Sequence, residues 1–246
     1  MDRMIYVAMS GAKETLLAQA NNSNNLANVN APGFLADLQQ FRSMPVFGNG
    51  HATRVYSMSE RPGVNLGHGD IVHSGRDLDV AISGEGWFAV QARDGGEAYT
   101  RRGDLELDIN GLLTTGNGLG VMGDNGPIAI PPAEKMDIGP DGTISIIPIG
   151  QTAGEMAVID RIKMVNPPLT ELEKGVDGLV RLRSGEAAAA DAAVHLTTGT
   201  LESSNVNMVN AMVDMIELSR RYEMQVKMMK TASEIEKSSA SIMRLG

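Results

Sequence analysis

The sequence predicts an α+β protein: long N- and C-terminal helices paired as a coiled-coil-like stalk, with an inserted antiparallel β-rich domain. Three observations carry this expectation. Apolar residues near the start of the chain fall at helical spacing, residues 204–245 contain neither glycine nor proline, and the interval between is punctuated by Asn-Gly and Asp-Gly pairs.

The first element runs over about residues 4–29. Ile5, Met9, Ala12, Leu16 and Ala20 recur at steps of three and four, which places them on one helical face. Pro32-Gly33 stops it, because proline disfavours a helical residue before it and glycine accepts left-handed geometry. Asn21, Asn22, Asn24, Asn25, Asn28 and Asn30 crowd its end. Asparagine is a mediocre helix former, and buried amides can fix the register between helices at the expense of stability. The bland alternative is a frayed, solvated helix end.

The middle, about residues 35–203, reads as β structure. Turn pairs stand at Asp94-Gly95, Asn110-Gly111, Asn117-Gly118, Asn125-Gly126 and Asp141-Gly142. Such pairs tolerate the positive φ angles of tight hairpins. Residues 78–82, 87–91, 105–109, 128–130 and 143–147 are the candidate strands, and Pro127, Pro131, Pro132, Pro148, Pro167 and Pro168 suit edges and loops.

The last element repeats in sevens: Met208, Met215, Tyr222, Met229 and Met243, with Ala211, Leu218, Gln225, Ala232 and Ser239 three behind. Met212, Val226 and Ala240 broaden the stripe, and Asn205 or Asn207 can cap it. Glu217–Arg221 and Glu223–Lys227 are expected as outer i,i+4 pairs. A helix of about 38 residues is roughly 57 Å long, whereas a β domain of about 170 residues has a radius of gyration near 15 Å. The helix therefore overhangs anything that domain could cover, and its stripe must meet the N-terminal helix, other chains, or both. Seven of the 16 methionines lie on it. Methionine adapts to unequal neighbours, and a tight two-stranded coil would prefer β-branched residues and leucine. The stripe therefore reads either as an ordinary, slightly loose coiled coil or as a polymerising interface with several non-identical contacts. The expected organisation is residues 1–33 with 204–246 as a terminal helical domain, 34–76 as an extended linker and 77–203 as a β-rich outer domain.

Composition and motifs exclude most chemistry. With no cysteine there is no disulfide, thiolate nucleophile or Cys-ligated metal, and a net charge of −9 argues against nucleic acid. Only one Trp, four Tyr and four Phe are present, few for a ligand pocket. Gly118-Leu119-Gly120-Val121-Met122-Gly123 has the letters of a dinucleotide loop, but turn and strand residues follow it where a helix must open. Asp104, Glu106 and Asp108 alternate like a solvated strand face; a calcium loop would need glycine and glutamate where Ile109 and Thr115 stand. His51, His68, His73 and His195 have no metal-ligand spacing, and no Gly-x-Ser-x-Gly elbow occurs. No catalytic residue, cofactor or metal is expected. The longest uncharged run, 15–36, holds six asparagines and is no membrane span. Ser10-Gly11 interrupts the apolar start before a signal-peptide core, so any export would need a route that reads no cleaved signal.

Asn21-Asn22, Asn24-Asn25-Leu26-Ala27-Asn28-Val29-Asn30-Ala31-Pro32-Gly33-Phe34 resembles the N-terminal signature of bacterial flagellar rod and hook proteins. Gly199-Thr200-Leu201-Glu202-Ser203-Ser204-Asn205-Val206-Asn207-Met208, with Arg221-Tyr222-Glu223 further on, resembles the other end of the same family. Between them, Leu78-Asp79-Val80-Ala81-Ile82, Gly86-Trp87-Phe88, Tyr99-Thr100-Arg101 and the Asp141-Gly142-Thr143 turn are similar to the rod subgroup. The opening Met1-Asp2-Arg3-Met4 stretch and the modest length look most like its proximal-rod members, with distal-rod members next. Ala31 and Leu35 depart from the usual threonine and lysine.

The resemblance implies a non-catalytic axial subunit of the flagellar basal-body rod, exported unfolded by the flagellar type III apparatus. It would be assembled helically in the periplasm, beside copies of itself and other proximal and distal rod subunits, as a driveshaft that carries motor torque to the hook. Insertion into the membrane is not implied. The expected interface sets Met208, Met212, Met215, Leu218, Tyr222, Val226 and Met229 against Ile5, Ala8, Ala12, Leu16 and the helices of adjacent subunits. Asn21, Asn25 and Asn28 would set register, Phe34 would anchor the turn, and Asn205 belongs to the C-terminal signature.

Overall fold

The computed structural model describes residues 4–45, 55–59, 63–149 and 156–243. The chain forms two compact units: Met1–Val29, Ala36–Asn65 and Val206–Gly246 make the first, Asn30–Leu35 and Leu66–Asn205 the second. Residues 34–76 are thus divided, most of them belonging with the terminal helices.

The first unit contains α1 (Met4–Ala27), β1 (Asp37–Leu38), β2 (Phe41–Pro45), β3 (Val55–Ser59), β4 (Gly63–Val64) and α2 (Met208–Met243). The helices are antiparallel, with Asn22 of α1 beside Ala211 of α2 and Gly11 facing Gln225. On α1 the contact is made of small residues, with Ala8, Gly11, Ala12, Thr15 and Ala18 buried; on α2 Ala211, Leu218 and Ala232 are buried. Small side chains bring the backbones close, and a Cβ on Gly11 would stand 2.9 Å from the Gln225 amide nitrogen. Of the heptad positions of α2, Met215, Tyr222, Gln225 and Met229 are half-buried between the buried ones, whereas Met208, Met212 and Ser239 are exposed. Asn207 caps α2, its side-chain oxygen accepting from the Asn210 amide at 3.0 Å. Asn205 is no cap; its side chain donates to the Gly67 carbonyl. Of the two outer pairs, Glu217–Arg221 forms at 3.2 Å, and Glu223–Lys227 does not appear among the ion pairs of the described residues. β2 and β3 make a hairpin, and β1 pairs with β4.

The second unit is the β-rich one. Its strands are β5 (Ile71–His73), β6 (Val80–Ser83), β7 (Trp87–Gln91), β8 (Glu97–Thr100), β9 (Leu105–Leu107) and β10 (Leu113–Thr115), followed by β11 (Met122–Gly123), β12 (Gly126–Pro127), β13 (Ala133–Ile138), β14 (Thr143–Pro148) and β15 (Ala157–Arg161). The series closes with β16 (Met164–Val165), β17 (Leu172–Lys174), β18 (Val180–Leu182), β19 (His195–Thr198) and β20 (Thr200–Glu202). Every strand pairing among the described residues is antiparallel. The largest sheet runs β16-β7-β8-β18-β17, and a three-stranded sheet runs β13-β14-β15. Val80, Ile82, Phe88, Leu105, Leu113, Ile128, Ile144 and Ile162 are among the residues of its main core.

The five turn pairs each place their glycine at positive φ, as the hairpin chemistry requires. Two strand expectations are corrected. Residues 105–109 stop pairing at Leu107, because the Asp108 carboxylate takes the Ile109 amide at 2.7 Å and its carbonyl takes the Gly111 amide, which closes a turn. Residues 128–130 contribute one isolated bridge, Leu112–Ala129, rather than a strand. Asp104 leaves the expected solvated face as well: its carboxylate is held by a two-point contact from Arg102 at 2.6 and 2.7 Å. Gly118 to Gly123 lead through a bridge at Gly120 into β11, so no helix opens there.

Where the chain passes into and out of this unit, its two stretches are hydrogen-bonded. The Gly33 amide donates to the Glu202 carbonyl at 2.8 Å and the Asn205 amide to the Phe34 carbonyl at 3.2 Å. Gly33 has φ +62°, and a Cβ there would lie 2.4 Å from the Arg101 backbone, so glycine is demanded twice over. Beneath this junction Arg101 and Glu202 form an ion pair at 3.1 Å, each 3% exposed. The Arg101 guanidinium also stacks 4.8 Å from the centre of the Trp87 ring and contacts His68, while Glu202 accepts from the Gly69 amide.

Candidate assembly interface

The residues expected at an interface fall into two groups. Ala8 and Ala12, Ile5, Met215, Leu218, Tyr222, Val226 and Met229 are buried or half-buried in the helical unit. Leu16, Met208 and Met212 are 47%, 40% and 48% exposed.

Further exposed apolar residues adjoin them on each helix. On α1, Tyr6, Met9 and Leu17 lie away from the buried Ala8, Gly11, Thr15 and Ala18 at 3.6 residues per turn, with exposed Lys13 among them and Leu16 at the margin beside Ala12. On the first turns of α2, Val209, Met212, Val213 and Ile216 point away from the stripe that faces α1, and Met208, on the stripe's own side, is exposed at the helix start. Farther along α2 that outer side carries Arg220, Glu223, Lys227 and Lys230 instead. An amphipathic helix needs one apolar face to pack; each of these has a second one. A contiguous exposed apolar patch on a chain marks a place where something docks.

The asparagines divide their roles. Asn25 clamps β1, its side chain accepting from the Asp37 amide and donating to the Asp37 carbonyl, both at 2.9 Å. Asn28 turns back to Asn24 within the helix end, and Asn21 is half-buried. The amide that joins the two helices belongs to Asn22, which donates to the Ala211 carbonyl at 2.6 Å. Phe34 is half-buried with the Lys174 ammonium 4.7 Å from its ring centre. Gln225 belongs to the heptad series, whereas Gly11 and Asn22 are positions that helical spacing alone does not single out.

Elsewhere the molecule offers little chemistry. His51 lies outside the described residues, and among the described ones no cluster of His, Asp and Glu is arranged to hold a metal ion. No described helix is long and apolar enough to cross a membrane. In the β-rich unit burial pushes the Tyr99 phenol up to about 12, with the Glu97 carboxylate beside it adding to the shift and the Ala188 amide opposing it.

Comparison with known proteins gives these helical faces a context. A family model described as "Flagella basal body rod protein" matches residues 5–34, and "Flagellar hook protein FlgE/F/G D1 domain" matches 81–146. A third, "Flagellar basal body rod FlgEFG protein C-terminal", matches 197–242. The flagellar basal-body rod protein FlgF of Escherichia coli is 41% identical over 240 residues, 95% of each chain. The chain belongs to the flagellar basal-body rod protein family. FlgF of Salmonella typhimurium is 40% identical over 96% of each chain. FlgG of Bacillus subtilis is 33% identical over 96% of this chain and 97% of its own.

Two of the matched segments, at the ends of the chain, carry both apolar faces and the Pro32-Gly33 turn. The two departures from the rod-family signature have local explanations. Leu35 is buried at 5% exposure, where an apolar side chain fits, and its carbonyl accepts from Lys174 at 2.8 Å. Ala31 sits in a turn closed by backbone alone, its carbonyl accepting from the Phe34 amide.

Proposed function

We propose that this protein is a non-catalytic structural subunit of the bacterial flagellar basal-body rod, in its proximal segment. The subunits assemble helically with copies of themselves and with other rod subunits, and the assembly transmits torque from motor to hook. The terminal helices pair as a coiled-coil-like core, and their outer faces form the contacts with neighbouring subunits. The chain reaches the periplasm through the flagellar type III export apparatus with no cleaved signal peptide. The relative named FlgG supports a second reading, a distal-rod position, which differs in neighbours and not in chemistry.

The observation that carries the interface reading is the second apolar face on each helix. Burying an apolar side chain of this size gains roughly 1.5–3 kcal/mol, and five such residues lie within the first turns of α2. The Asn22 and Gln225 amides inside the helix pair fix its register, while the methionine-rich outer face accommodates neighbours in non-equivalent positions.

Met212→Asp combined with Ile216→Asp tests this reading. Both residues are exposed in the single chain, so the variant should fold with unchanged circular dichroism and yet fail to enter rods. Complete rods containing the variant would refute the assignment of this face.

A further inference from the structure

A groove of about 900 Å³ opens in the β-rich unit between β13 and the turn joining β9 to β10. Ala133, Glu134, Lys135 and Met136 line it consecutively. Glu134 is the extra residue of a bulge between Ala133 and Lys135, which breaks the strand's alternation and brings successive residues to the groove. β13 is an outer strand of its sheet, paired with β14 on one side. Across the groove stands Ile109, 97% exposed, and Leu78 and Met136 lie in it while packing on the core behind.

Charge gives this groove a polarity. Asp77, Asp108 and Glu134 surround it against one Lys135. Asp77 and Glu134 are exposed, and neither takes part in an ion pair among the described residues. The surrounding unit shares the bias: residues 30–35 and 66–205 hold 21 of the 30 Asp and Glu and only 10 of the 21 Lys and Arg. An open strand edge beside exposed apolar side chains invites pairing with another chain. An acidic rim selects which chain.

We propose that this groove binds an extended, basic and apolar segment of a partner protein, which adds to β13 as a further strand. Its main chain pairs with the open edge of β13. Apolar side chains at alternate positions rest on Leu78, Ile109 and Met136, and Lys or Arg side chains meet Asp77 and Glu134. Main-chain pairing gives affinity in this mode, and the side-chain sites give specificity. A six-residue strand spans about 20 Å, which sets the length of segment required. The β-rich unit of a second copy is a poor occupant, because two acidic surfaces would face one another. The proposal stands apart from the helical interface and survives or fails independently of it.

The test uses the full chain and a fluorescein-labelled peptide, Lys-Val-Arg-Ile-Lys-Val, followed by anisotropy. The peptide should bind, and Asp77→Lys with Glu134→Lys should weaken it by about tenfold or more. Glu171→Lys with Glu186→Lys, the same charge change on exposed residues outside the groove, should leave binding within about twofold. The same peptide N-methylated at alternate backbone amides should lose its affinity. Absent binding, equal losses in the two double variants, or full retention by the N-methylated peptide would each overturn the proposal.

Discussion

Tyr99 is nearly sealed in the β-rich unit, and its hydroxyl is used twice. It donates to Glu97 at 3.0 Å and accepts from the Ala188 amide at 2.7 Å, while Lys163 holds both oxygens of the same Glu97. Burial raises its pKa from 10.0 to about 12. The folded chain therefore keeps this proton where the unfolded chain has lost it. The stability it contributes is complete below pH 10 and is lost as pH rises from about 10 to 12. An absorbance titration should show a phenolate step near pH 12 that Tyr99→Phe removes; a titration unchanged by that substitution would contradict the assignment.

Single residues also show how unevenly the sequence exposes the structure. The Asn-Gly and Asp-Gly turns were legible because their chemistry is local: two adjacent residues specify the backbone geometry. The Arg101–Glu202 pair joins residues 101 positions apart and has no local signature. The asparagine cluster lies between these cases. Its composition pointed to amides that set register, but helical spacing could not say that Asn22 would reach α2 while Asn25 turned to β1.

At the scale of elements, the helix pair is set by close approach rather than by bulk. Gly11 costs α1 about 1 kcal/mol relative to alanine by propensity, yet any Cβ there meets the Gln225 amide. Substituting Gly11→Ala in a Gln225→Ala background should recover that propensity and raise the thermal stability of the helical unit. In the native background the gain should shrink, since Gln225 must move. Circular dichroism melts of the four chains form a double-mutant cycle. Equal effects in both backgrounds would mean that the contact carries no energy.

The elements also explain why the sequence described one stripe where the structure has two faces. Met208 and Met212 fit the heptad reading, but the side of α2 that meets α1 begins at Ala211 and follows Met215, Leu218 and Tyr222. Periodicity detects the sum of two apolar arcs and cannot separate them. Helix length adds a further constraint. At 1.5 Å per residue α2 is about 18 Å longer than α1, so beyond Ala232 it has outrun the described part of its partner. Residues 237–241 are exposed there, as their serines and lysine suit.

The whole molecule divides its labour between two units of different character. The helical unit carries small-residue packing within and apolar faces without. The β-rich unit holds the aromatic core, the buried Arg101–Glu202 pair and most of the acidic charge. Its antiparallel architecture was readable from turns and alternation, whereas the allotment of Ala36–Asn65 to the helical unit was not. That allotment depends on contacts such as Asn25 with Asp37, which no pattern of hydrophobicity announces.

We assign the outer face of α2 to contacts with other subunits in the assembled rod. The chain has no cysteine, so Met212→Cys provides a single reactive probe on that face. Its rate of maleimide labelling can be compared in the purified chain, in isolated basal bodies, and in basal bodies after dissociation. Labelling should be rapid in the free chain, strongly suppressed in basal bodies, and restored on dissociation. Labelling of intact basal bodies as fast as that of the free chain would contradict the assignment.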